Sequence, residues 1–469
     1  MNKNVAVPKA ELEAGFAAAK RLNEELKGKA LSYHIESYGC QMNAHDSEKI
    51  AGLLSACGYA PASEKEEADL ILFNTCCVRE HAEKRVFGNI GALKKKKDEK
   101  PALLIGVCGC MMQQKEVADR LFQRFPFVDL IFGTNELHLL PAMLEQVLSG
   151  ERVEHVRKMD GEIAEGLPVL REEGVSQFVT IMYGCDNFCS YCIVPYVRGR
   201  ERSRSPEHIL NEMRALGAKG CKEITLLGQN VNSYSNENSH DNEGVSFPAL
   251  LKMAAGVEGV ERIRFMTSHP KDLSDELIEV MAREDKVCPH VHLPVQSGSD
   301  RVLAQMNRRY DRAHYFSLVE KLRANVADVE LTTDIIVGFP GETEEDFCAT
   351  LDLVERVGFS AAYTFKYSPR TGTKAAGMPD QIEETIKAER LARLNETVAK
   401  GLRTGNEKYV GRESAVLVEG CDHRGEPRAF GKLPNFKMVY FPGDESLRGE
   451  IVPIRITGVA GNSLIGERK

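Results

Sequence analysis

The chain has 469 residues, of which 42% are hydrophobic and 28% charged, and its formal net charge is −8. This length suggests about two to four domains with several hydrophobic cores, and the acidic balance excludes a polycation but not a local basic surface for RNA. The longest mostly apolar run, 101–112, is shorter than the roughly 20 residues that cross a bilayer, and the N-terminus lacks the apolar core of a signal peptide. We therefore expect a cytoplasmic protein with no membrane partner.

The first region combines an N-terminal segment with an alternation of strands and helices. Residues 1–30 are predicted to be an N-terminal tail, in which 10–29 form either a charged, alanine-rich helix or part of the tail. From 31 to 150, apolar runs alternate with helical patterns, which predicts a domain built on an open parallel α/β sheet. The predicted strands are Ser32–Glu36, Asp69–Phe73, Ala102–Val107 and Val128–Phe132, and the helices between them include Ser47–Leu54, Ala82–Leu93 and Glu116–Phe125.

Three cysteines follow the first three of these strands, one after each. Cys40, Cys76 and Cys110 are separated by about one βα unit each, and the carboxyl ends of parallel strands meet at the edge where ligands bind. Thirteen cysteines in a chain expected in a reducing compartment point to metal or redox chemistry rather than disulfides. Three buried core cysteines would be the simpler explanation, but placement at three strand ends favours a shared iron–sulfur cluster.

A polar linker, 151–173, precedes a second series of βα units, which we assign to a domain spanning 171–402. Six strands with intervening helices predict an incomplete (β/α)6 barrel, whose active site lies at the carboxyl ends of its strands. The predicted strands are Phe178–Met182, Glu223–Leu227, Arg262–Met266, His290–Val295, Leu331–Val337 and Ala362–Tyr367, and the helices include Pro206–Ala215, Asp275–Ala282 and Glu344–Val357.

Directly after the first barrel strand, Cys185, Cys189 and Cys192 form a Cys-x₃-Cys-x₂-Cys motif. Three thiolates this close together can hold three irons of a cubane cluster and leave the fourth iron open for a substrate. A zinc site would need a fourth cysteine or histidine, and the sequence offers none nearby. The spacing is that of the radical S-adenosylmethionine (SAM) enzymes, in which SAM binds the open iron.

The sequence pattern changes from helical to alternating after a long charged helix, 382–400. Residues 405–469 alternate Val and Ile with polar residues and contain turn sequences, which predicts a small all-β barrel. Lys432 and Lys437 flank an aromatic residue there, as in RNA-binding barrels, although a loop with solvated lysines explains this stretch equally well. Arg198 and Arg200 are the other RNA-binding candidates, because they begin a run of alternating arginines just after the cysteine motif.

Together the three regions resemble the methylthiotransferase family of radical SAM enzymes, which combine an N-terminal methylthiotransferase domain, a radical SAM core and a C-terminal TRAM domain. The resemblance is closest to the MiaB branch, the tRNA-2-methylthio-N6-dimethylallyladenosine synthases. Gln-Met-Asn after Cys40 is its most specific tag, since the branch that modifies a ribosomal protein typically has Pro-Lys-Asn there. Further matching motifs are Asn74-Thr75-Cys76, Val78-Arg79-Glu80, Gly109-Cys110-Met111, Gly228–Asn232, Thr267–Pro270, Leu293–Ser299 and Asp334–Thr343.

The resemblance implies two [4Fe–4S] clusters, SAM and a tRNA substrate. Cys185, Cys189 and Cys192 would hold the cluster that cleaves SAM to a 5′-deoxyadenosyl radical, and Cys40, Cys76 and Cys110 the auxiliary cluster that carries sulfur. The radical would abstract hydrogen from C2 of N6-isopentenyladenosine at position 37, in the anticodon stem-loop, before a methylthio group is transferred there. An electron donor such as flavodoxin or ferredoxin is implied as well, and we expect a monomer.

Other assignments are less specific. Gln229, Gln296, Ser297 and Asp334 are candidate SAM contacts, although turn-stabilising roles explain them equally well. His269 is expected to be packed or hydrogen-bonded rather than a general base. Cys77 and Cys108 lie beside the proposed ligands, and alignment with the family's motifs favours Cys76 and Cys110 over these neighbours.

Two alternative functions are a methylthiotransferase acting on a ribosomal protein, against which the Gln-Met-Asn tag argues, and a non-catalytic RNA-binding protein with structural clusters.

Overall fold

The computed structural model describes residues 5–77, 82–157, 162–171, 173–236 and 244–469, so the Val78-Arg79-Glu80 motif lies outside the described residues. Numbered along the chain, the β-strands are β1 (Val5–Ala6), β2 (Ser32–Ser37), β3 (Ala60–Pro61), β4 (Leu70–Thr75), β5 (Leu104–Gly109), β6 (Leu130–Phe132), β7 (Val153–His155), β8 (Glu162–Ile163), β9 (Ser176–Thr180), β10 (Met182–Tyr183), β11 (Arg202–Ser203), β12 (Glu223–Leu227), β13 (Ser235–Asn236), β14 (Val245–Ser246), β15 (Arg262–Met266), β16 (His290–His292), β17 (Glu330–Val337), β18 (Ala361–Lys366), β19 (Glu413–Asp422), β20 (Arg428–Lys432), β21 (Met438–Pro442), β22 (Ile451–Ala460) and β23 (Ser463–Arg468).

The α-helices are α1 (Lys9–Glu25), α2 (Gln41–Ala56), α3 (Ala82–Ala92), α4 (Lys94–Glu99), α5 (Lys115–Arg124), α6 (Leu140–Leu148), α7 (Val194–Val197), α8 (Pro206–Ala218), α9 (Phe247–Ala255), α10 (Asp275–Arg283), α11 (Asp300–Gln305), α12 (Arg312–Asn325), α13 (Glu344–Val357) and α14 (Glu384–Glu407). The chain forms two compact units. The first comprises Met1–Glu172, Met182–Asp186 and Ile193–Arg204, and the second comprises Glu173–Ile181, Asn187–Cys192 and Ser205–Lys469.

The first unit is built on a six-stranded parallel sheet in the order β3-β2-β4-β5-β6-β7, which confirms the predicted open α/β sheet. The central strand β4 is buried along its whole length, as its apolar sequence requires of a parallel strand covered on both faces. The edge strand β7 comes from the segment that was predicted to be a linker.

Helix α1 shows that most of the predicted N-terminal tail is packed. Gly15, Ala18, Ala19 and Leu22 are buried along one side of the helix, at the spacing of an amphipathic helix, and Ala19 and Leu22 belong to the same hydrophobic cluster as Leu140 and Leu144 of α6. The helical alternative is therefore correct for Lys9–Glu25.

The second unit contains the predicted partial barrel. Two three-stranded parallel sheets, β15-β12-β9 and β16-β17-β18, are joined where the backbone N–H groups of Cys288 and Ser268 donate to the carbonyls of Ile263 and His292. The strands therefore follow one another in chain order around an open (β/α)6 barrel. The first strand ends at Thr180, two residues earlier than predicted, because Met182 and Tyr183 instead form β10, which pairs with β11 in the first unit.

The second unit also contains the predicted all-β element, a closed five-stranded barrel in the order β19-β20-β21-β23-β22. Its interior is filled by aliphatic side chains such as Val416, Val439 and Ile454 together with Phe441. The helix before it, α14, continues to Glu407, past the predicted boundary at 405, and the first barrel strand begins at Glu413.

Candidate metal centres

The first cysteine trio lies along one edge of the six-stranded sheet. Cys40 precedes the first residue of α2, three residues after the end of β2, whereas Cys76 and Cys110 immediately follow β4 and β5. Because β2, β4 and β5 are neighbours in the sheet, the three cysteines share its carboxyl-terminal edge, as predicted from the sequence.

Two glycines shape the loops that present these cysteines. Gly39 has φ +112°, and a Cβ there would lie 2.7 Å from Cys76 Sγ. Gly109 has φ +94°, and a Cβ there would lie 2.5 Å from the carbonyl oxygen of Thr75. Both positions need the left-handed backbone and the absence of a side chain that glycine provides.

Asn43, the last residue of the Gln-Met-Asn tag, joins the three loops. Its Nδ2 donates to the carbonyls of Tyr38 at 3.0 Å and Thr75 at 2.8 Å. Its Oδ1 lies 3.8 Å from Cys40 Sγ and 3.7 Å from Cys110 Sγ. One buried carboxamide thus fixes the strand ends and lies beside two of the three proposed ligand sulfurs.

The neighbouring cysteines differ from one another in environment. Cys108 is fully buried inside β5, and burial raises the pKa of its thiol, as in an inert core cysteine. Cys77 donates a hydrogen bond to Cys110, which raises the pKa of Cys77 and, together with the Arg198 guanidinium, lowers that of Cys110 against the effect of burial. A thiolate is the form that binds metal, so this environment favours Cys110 over Cys108 as a ligand.

Arg198 lies beside this site and is not a surface residue. It is 4% exposed. Its Nε donates to Cys110 Sγ at 3.1 Å, and its Nη2 donates to Asn43 Oδ1 at 3.0 Å and Asp46 Oδ2 at 2.8 Å. This burial corrects the prediction that Arg198 contacts RNA, because the buried guanidinium exposes almost no surface to a phosphate group. Arg200 of the same segment is exposed, with Asp186 3.4 Å away.

The residues of the Cys-x₃-Cys-x₂-Cys motif are divided between the two units. In the first unit, Cys185 follows Gly184, at φ +76°, and its N–H donates to the carbonyl of Gly199 at 3.1 Å. In the second unit, Cys189 and Cys192 form a tight turn in which the N–H of Cys192 donates to the carbonyl of Cys189 at 2.9 Å. All three thiols are partly exposed, as a cluster that binds a substrate requires.

A second buried arginine contacts this motif within the second unit. Arg308 Nη1 donates to Cys189 Sγ at 3.3 Å, while Nη2 donates to the Pro294 carbonyl and Nε to the Tyr310 hydroxyl, both at 2.9 Å. Asn307 supports the same turn by donating to the carbonyls of Asn187 and Phe188. Sequence reasoning missed Arg308, and the signal that could have found it is the Asn-Arg-Arg sequence at the end of a short helix.

Within the described residues, no three His, Cys, Asp or Glu side chains converge tightly enough to hold a single metal ion. A cubane differs from a single ion because each cysteine binds a different iron, so its ligands are spread more widely. The donor chemistry fits such a cluster: one sulfur of each trio accepts a hydrogen bond from a buried guanidinium, and hydrogen bonds to sulfur are a common feature of iron–sulfur sites.

The carboxyl edge of the barrel carries polar atoms that fit the amino-acid part of SAM. Asn230 Oδ1, Ser268 Oγ and His269 Nε2 are buried without a hydrogen-bond partner in the described part of the chain. Burial and Arg308 lower the pKa of His269 to about 2, and its Nδ1 accepts from the Lys271 N–H. The neutral ring therefore carries its proton on Nε2. The edge thus offers three groups to the ammonium and carboxylate of SAM: the Nε2–H donor of His269, the Oδ1 acceptor of Asn230 and the hydroxyl of Ser268.

The predicted SAM contacts have different settings. Gln229 follows β12 at the same edge, and Gln296 has φ +67° and bridges to Ile335. Ser297 is buried against the hydroxyl of Thr350, which indicates a turn-stabilising role. Asp334 lies in the middle of β17, 3.6 Å from His292 Nε2.

The predicted RNA-binding lysines Lys432 and Lys437 flank a loop that packs on the other end of the barrel. Arg264 donates to the carbonyls of Leu433 and Pro434, and the Phe436 ring stacks on His290 with 4.5 Å between centroids. Glu223, Arg262, His290 and Glu330 are the first residues of β12, β15, β16 and β17. The Leu433–Lys437 loop therefore covers the amino-terminal end of the barrel.

These contacts correct the interpretation of both lysines. Lys437 is 8% exposed, donates to Asn406 Oδ1 at 2.8 Å and pairs with Glu330 at 3.4 Å. Lys432 pairs with Glu419 at 2.8 Å and is only partly exposed. Their charges are used within the second unit, so neither is a strong candidate for a phosphate contact.

The five remaining cysteines lie outside both trios. Cys57, Cys221 and Cys288 are buried, Cys348 is exposed and Cys421 is intermediate.

None of the described helices combines the length and the apolar character needed to cross a membrane.

Comparison with family models divides the chain into three matched regions. Residues 32–133 match the uncharacterized protein family UPF0004, residues 179–354 the radical SAM superfamily, and residues 407–469 the TRAM domain.

Curated relatives match almost the whole chain. A protein of Caldicellulosiruptor saccharolyticus named tRNA-2-methylthio-N(6)-dimethylallyladenosine synthase is 53% identical over 452 residues, which cover 96% of this chain and 95% of that protein. A protein of the same name from Thermoanaerobacter sp. (strain X514) is 49% identical over 468 residues, which cover 100% and 99%.

Among solved structures, the radical SAM methyltransferase TsrM from Kitasatospora setae has a TM-score of 0.54 at 14% identity and covers 74% of each chain. The cobalamin-dependent radical enzyme OxsB has a TM-score of 0.51 at 15% identity, covering 80% of this chain and 57% of its own. At these identities the likeness shows a shared fold alone.

Proposed function

This chain belongs to the family of tRNA-2-methylthio-N(6)-dimethylallyladenosine synthases, and we propose that it transfers a methylthio group to C2 of N6-isopentenyladenosine at position 37 of tRNA. The observation that carries the proposal is 53% identity over 96% of the chain to a synthase of that name. Enzymes of this family are radical SAM enzymes that use SAM and two [4Fe–4S] clusters.

We assign the two clusters to the two cysteine trios. Cys185, Cys189 and Cys192 would hold the SAM-cleaving cluster, and Cys40, Cys76 and Cys110 the auxiliary cluster. When bound, these groups supply one-electron cleavage of SAM and a source of sulfur. The chain's own contribution is to orient the ligands: Asn43 ties together the loops of the first trio, and the Asn307 side chain holds the turn that contains Cys189.

The barrel edge supplies the SAM-binding groups. The unpartnered atoms of Asn230, Ser268 and His269 are proposed to bind the amino-acid part of SAM, with Gln229 beside them. A buried donor or acceptor without a partner costs about 1–3 kcal/mol, and a ligand that satisfies these atoms recovers that cost.

The domain boundaries and partners remain part of the proposal. Residues 31–150 form the methylthiotransferase domain, 171–402 the radical SAM core and 405–469 the TRAM domain, which contacts the tRNA anticodon stem-loop. Arg200 is retained as an RNA contact because it is exposed. A flavodoxin or ferredoxin would supply electrons to a monomeric enzyme in the cytoplasm.

The names of the relatives favour this function over a ribosomal-protein substrate and over a non-catalytic RNA-binding protein. The test is nucleoside mass spectrometry of tRNA from a bacterial strain that lacks the modification, with and without expression of this chain. Appearance of 2-methylthio-N6-isopentenyladenosine is expected. Its absence, with the chain expressed and its iron loaded, would contradict the proposal.

A further inference from the structure

Each cysteine trio has one sulfur that accepts a hydrogen bond from a buried arginine, and the two arginines differ in how their charge is balanced. Arg198 donates to Cys110 Sγ at 3.1 Å and forms an ion pair with Asp46 at 2.8 Å. The side chains of Arg198 and Asp46 are 5% and 7% exposed, so the carboxylate neutralises the guanidinium before any cluster is considered.

Arg308 has no such carboxylate partner within the described residues. It is 8% exposed, and its hydrogen bonds go to Cys189 Sγ, the Pro294 carbonyl and the Tyr310 hydroxyl. An isolated buried charge is costly unless an opposite charge lies close to it. The group positioned to supply that negative charge is Cys189, 3.3 Å from the guanidinium, as a ligand of an anionic cluster.

We infer that Arg308 is a positioning residue that raises the reduction potential of the cluster held by Cys185, Cys189 and Cys192, and that Arg198 does so more weakly for the auxiliary cluster. This inference rests on the proposed function. One-electron reduction adds one negative charge to a cluster, and a nearby guanidinium stabilises the reduced form more than the oxidised form. Hydrogen bonds to sulfur and local net charge are recognised determinants of cluster potential. Because Asp46 offsets the charge of Arg198, the larger effect belongs to Arg308.

The experiment uses the full chain with one trio removed at a time, so that each protein holds one cluster. Cys40→Ala, Cys76→Ala and Cys110→Ala together leave the SAM-cleaving cluster, and Arg308→Met is added to that background. Arg198→Met in the same background is the matched control, since it removes a buried guanidinium whose cysteine contact, Cys110, belongs to the absent trio. The readout is a redox titration followed by electron paramagnetic resonance, with iron content measured for every variant.

We expect Arg308→Met to lower the ratio of reduced to oxidised cluster at least about tenfold at a fixed potential, a shift of about 59 mV for a one-electron couple. Arg198→Met should leave that cluster unchanged. In the reciprocal background, which lacks Cys185, Cys189 and Cys192, Arg198→Met should produce a smaller shift and Arg308→Met none. Arg308→Lys, which keeps the charge, should stay close to the parent.

Several results would overturn the inference: an unchanged potential in Arg308→Met, equal shifts from both arginines in one background, or loss of iron from both Arg308→Met and Arg308→Lys. Loss of iron from Arg308→Met alone would support charge compensation, because the lysine variant retains the cation. If the parent background held no cluster at all, the proposed function would fail instead, and the two failures are therefore distinguishable.

Discussion

At the scale of single residues, both proposed metal centres depend on buried polar side chains that act between loops. Asn43 contacts the loops after three different strands through one carboxamide. Arg198 changes from a predicted RNA contact to a buried partner of Cys110 and Asp46. Such roles depend on groups that are far apart in sequence, so an arginine-rich stretch by itself favours the surface interpretation.

The choice between Cys76 and Cys77 can be tested directly. We expect Cys76→Ala to remove the auxiliary cluster, whereas Cys77→Ala should retain it, because Cys77 is the hydrogen-bond donor to Cys110 rather than a ligand. Iron content after anaerobic reconstitution, in a background lacking Cys185, Cys189 and Cys192, measures both. Retention of iron in Cys76→Ala together with its loss in Cys77→Ala would reverse the assignment.

At the scale of elements, the Leu433–Lys437 loop attaches the small β-barrel to the amino-terminal end of the (β/α)6 barrel. Its carbonyls accept from Arg264, whose Nε in turn donates to Glu223 at 2.8 Å, and both side chains are at most 2% exposed. Breaking a buried ion pair by removing one charge costs far more than breaking an exposed pair.

Glu223→Gln tests this attachment. We expect the free energy of unfolding to fall by about 3–5 kcal/mol, because Arg264 would keep a buried positive charge without a counterion. Glu279→Gln is the control: its pair with Arg283 is largely exposed, and the expected change is about 0–1 kcal/mol. Denaturant unfolding measures both, and equal effects would contradict the importance of the buried pair.

The aromatic stack makes a second contribution to the same attachment. Phe436→Ala should lower the free energy of unfolding by about 1–3 kcal/mol, because it removes a half-buried ring together with its stacking on His290. Phe365→Ala is the matched control, since that ring is 50% exposed. Thermal unfolding compares the two, and an unfolding temperature of Phe436→Ala no lower than that of the control would show that the loop is only loosely attached.

At the scale of the whole molecule, the two cysteine trios follow different strands and are predicted to have different tasks. Cys40, Cys76 and Cys110 follow strands of the six-stranded sheet, whereas the Cys-x₃-Cys-x₂-Cys motif follows β10, which is not part of that sheet. This separation predicts that either trio can be removed without removing the other's iron.

Replacing Cys40, Cys76 and Cys110 with Ala should halve the iron content and abolish methylthiolation while leaving reductant-driven production of 5′-deoxyadenosine intact. Replacing Cys185, Cys189 and Cys192 should also halve the iron but stop SAM cleavage. One anaerobic reaction with dithionite, SAM and isopentenylated tRNA, followed by chromatography of both products, measures each outcome. If 2-methylthio-N6-isopentenyladenosine still formed without the first trio, the assignment of that trio as the sulfur-carrying site would be wrong.

The sequence alone determined the secondary-structure elements and the cysteine spacing from which the iron–sulfur chemistry was predicted. The predicted barrel strands Glu223–Leu227 and Arg262–Met266 and the helix Glu344–Val357 have the observed bounds, because an apolar run or a capping sequence is a local property. The cysteine motif is likewise local, and the first trio could be inferred from regular βα spacing.

Only the tertiary structure decided which charged groups are available to a partner. Lys437 and Arg198 are basic residues of the kind that contact RNA, yet both are buried beside acidic residues distant in sequence. Lys437 pairs with Glu330, and Arg198 pairs with Asp46. The same holds for Arg308, whose importance lies in the contact with Cys189. Burial and long-range pairing arise when separate strands and loops pack together, and the free energy of a charge depends on those neighbours rather than on the residues beside it in the chain.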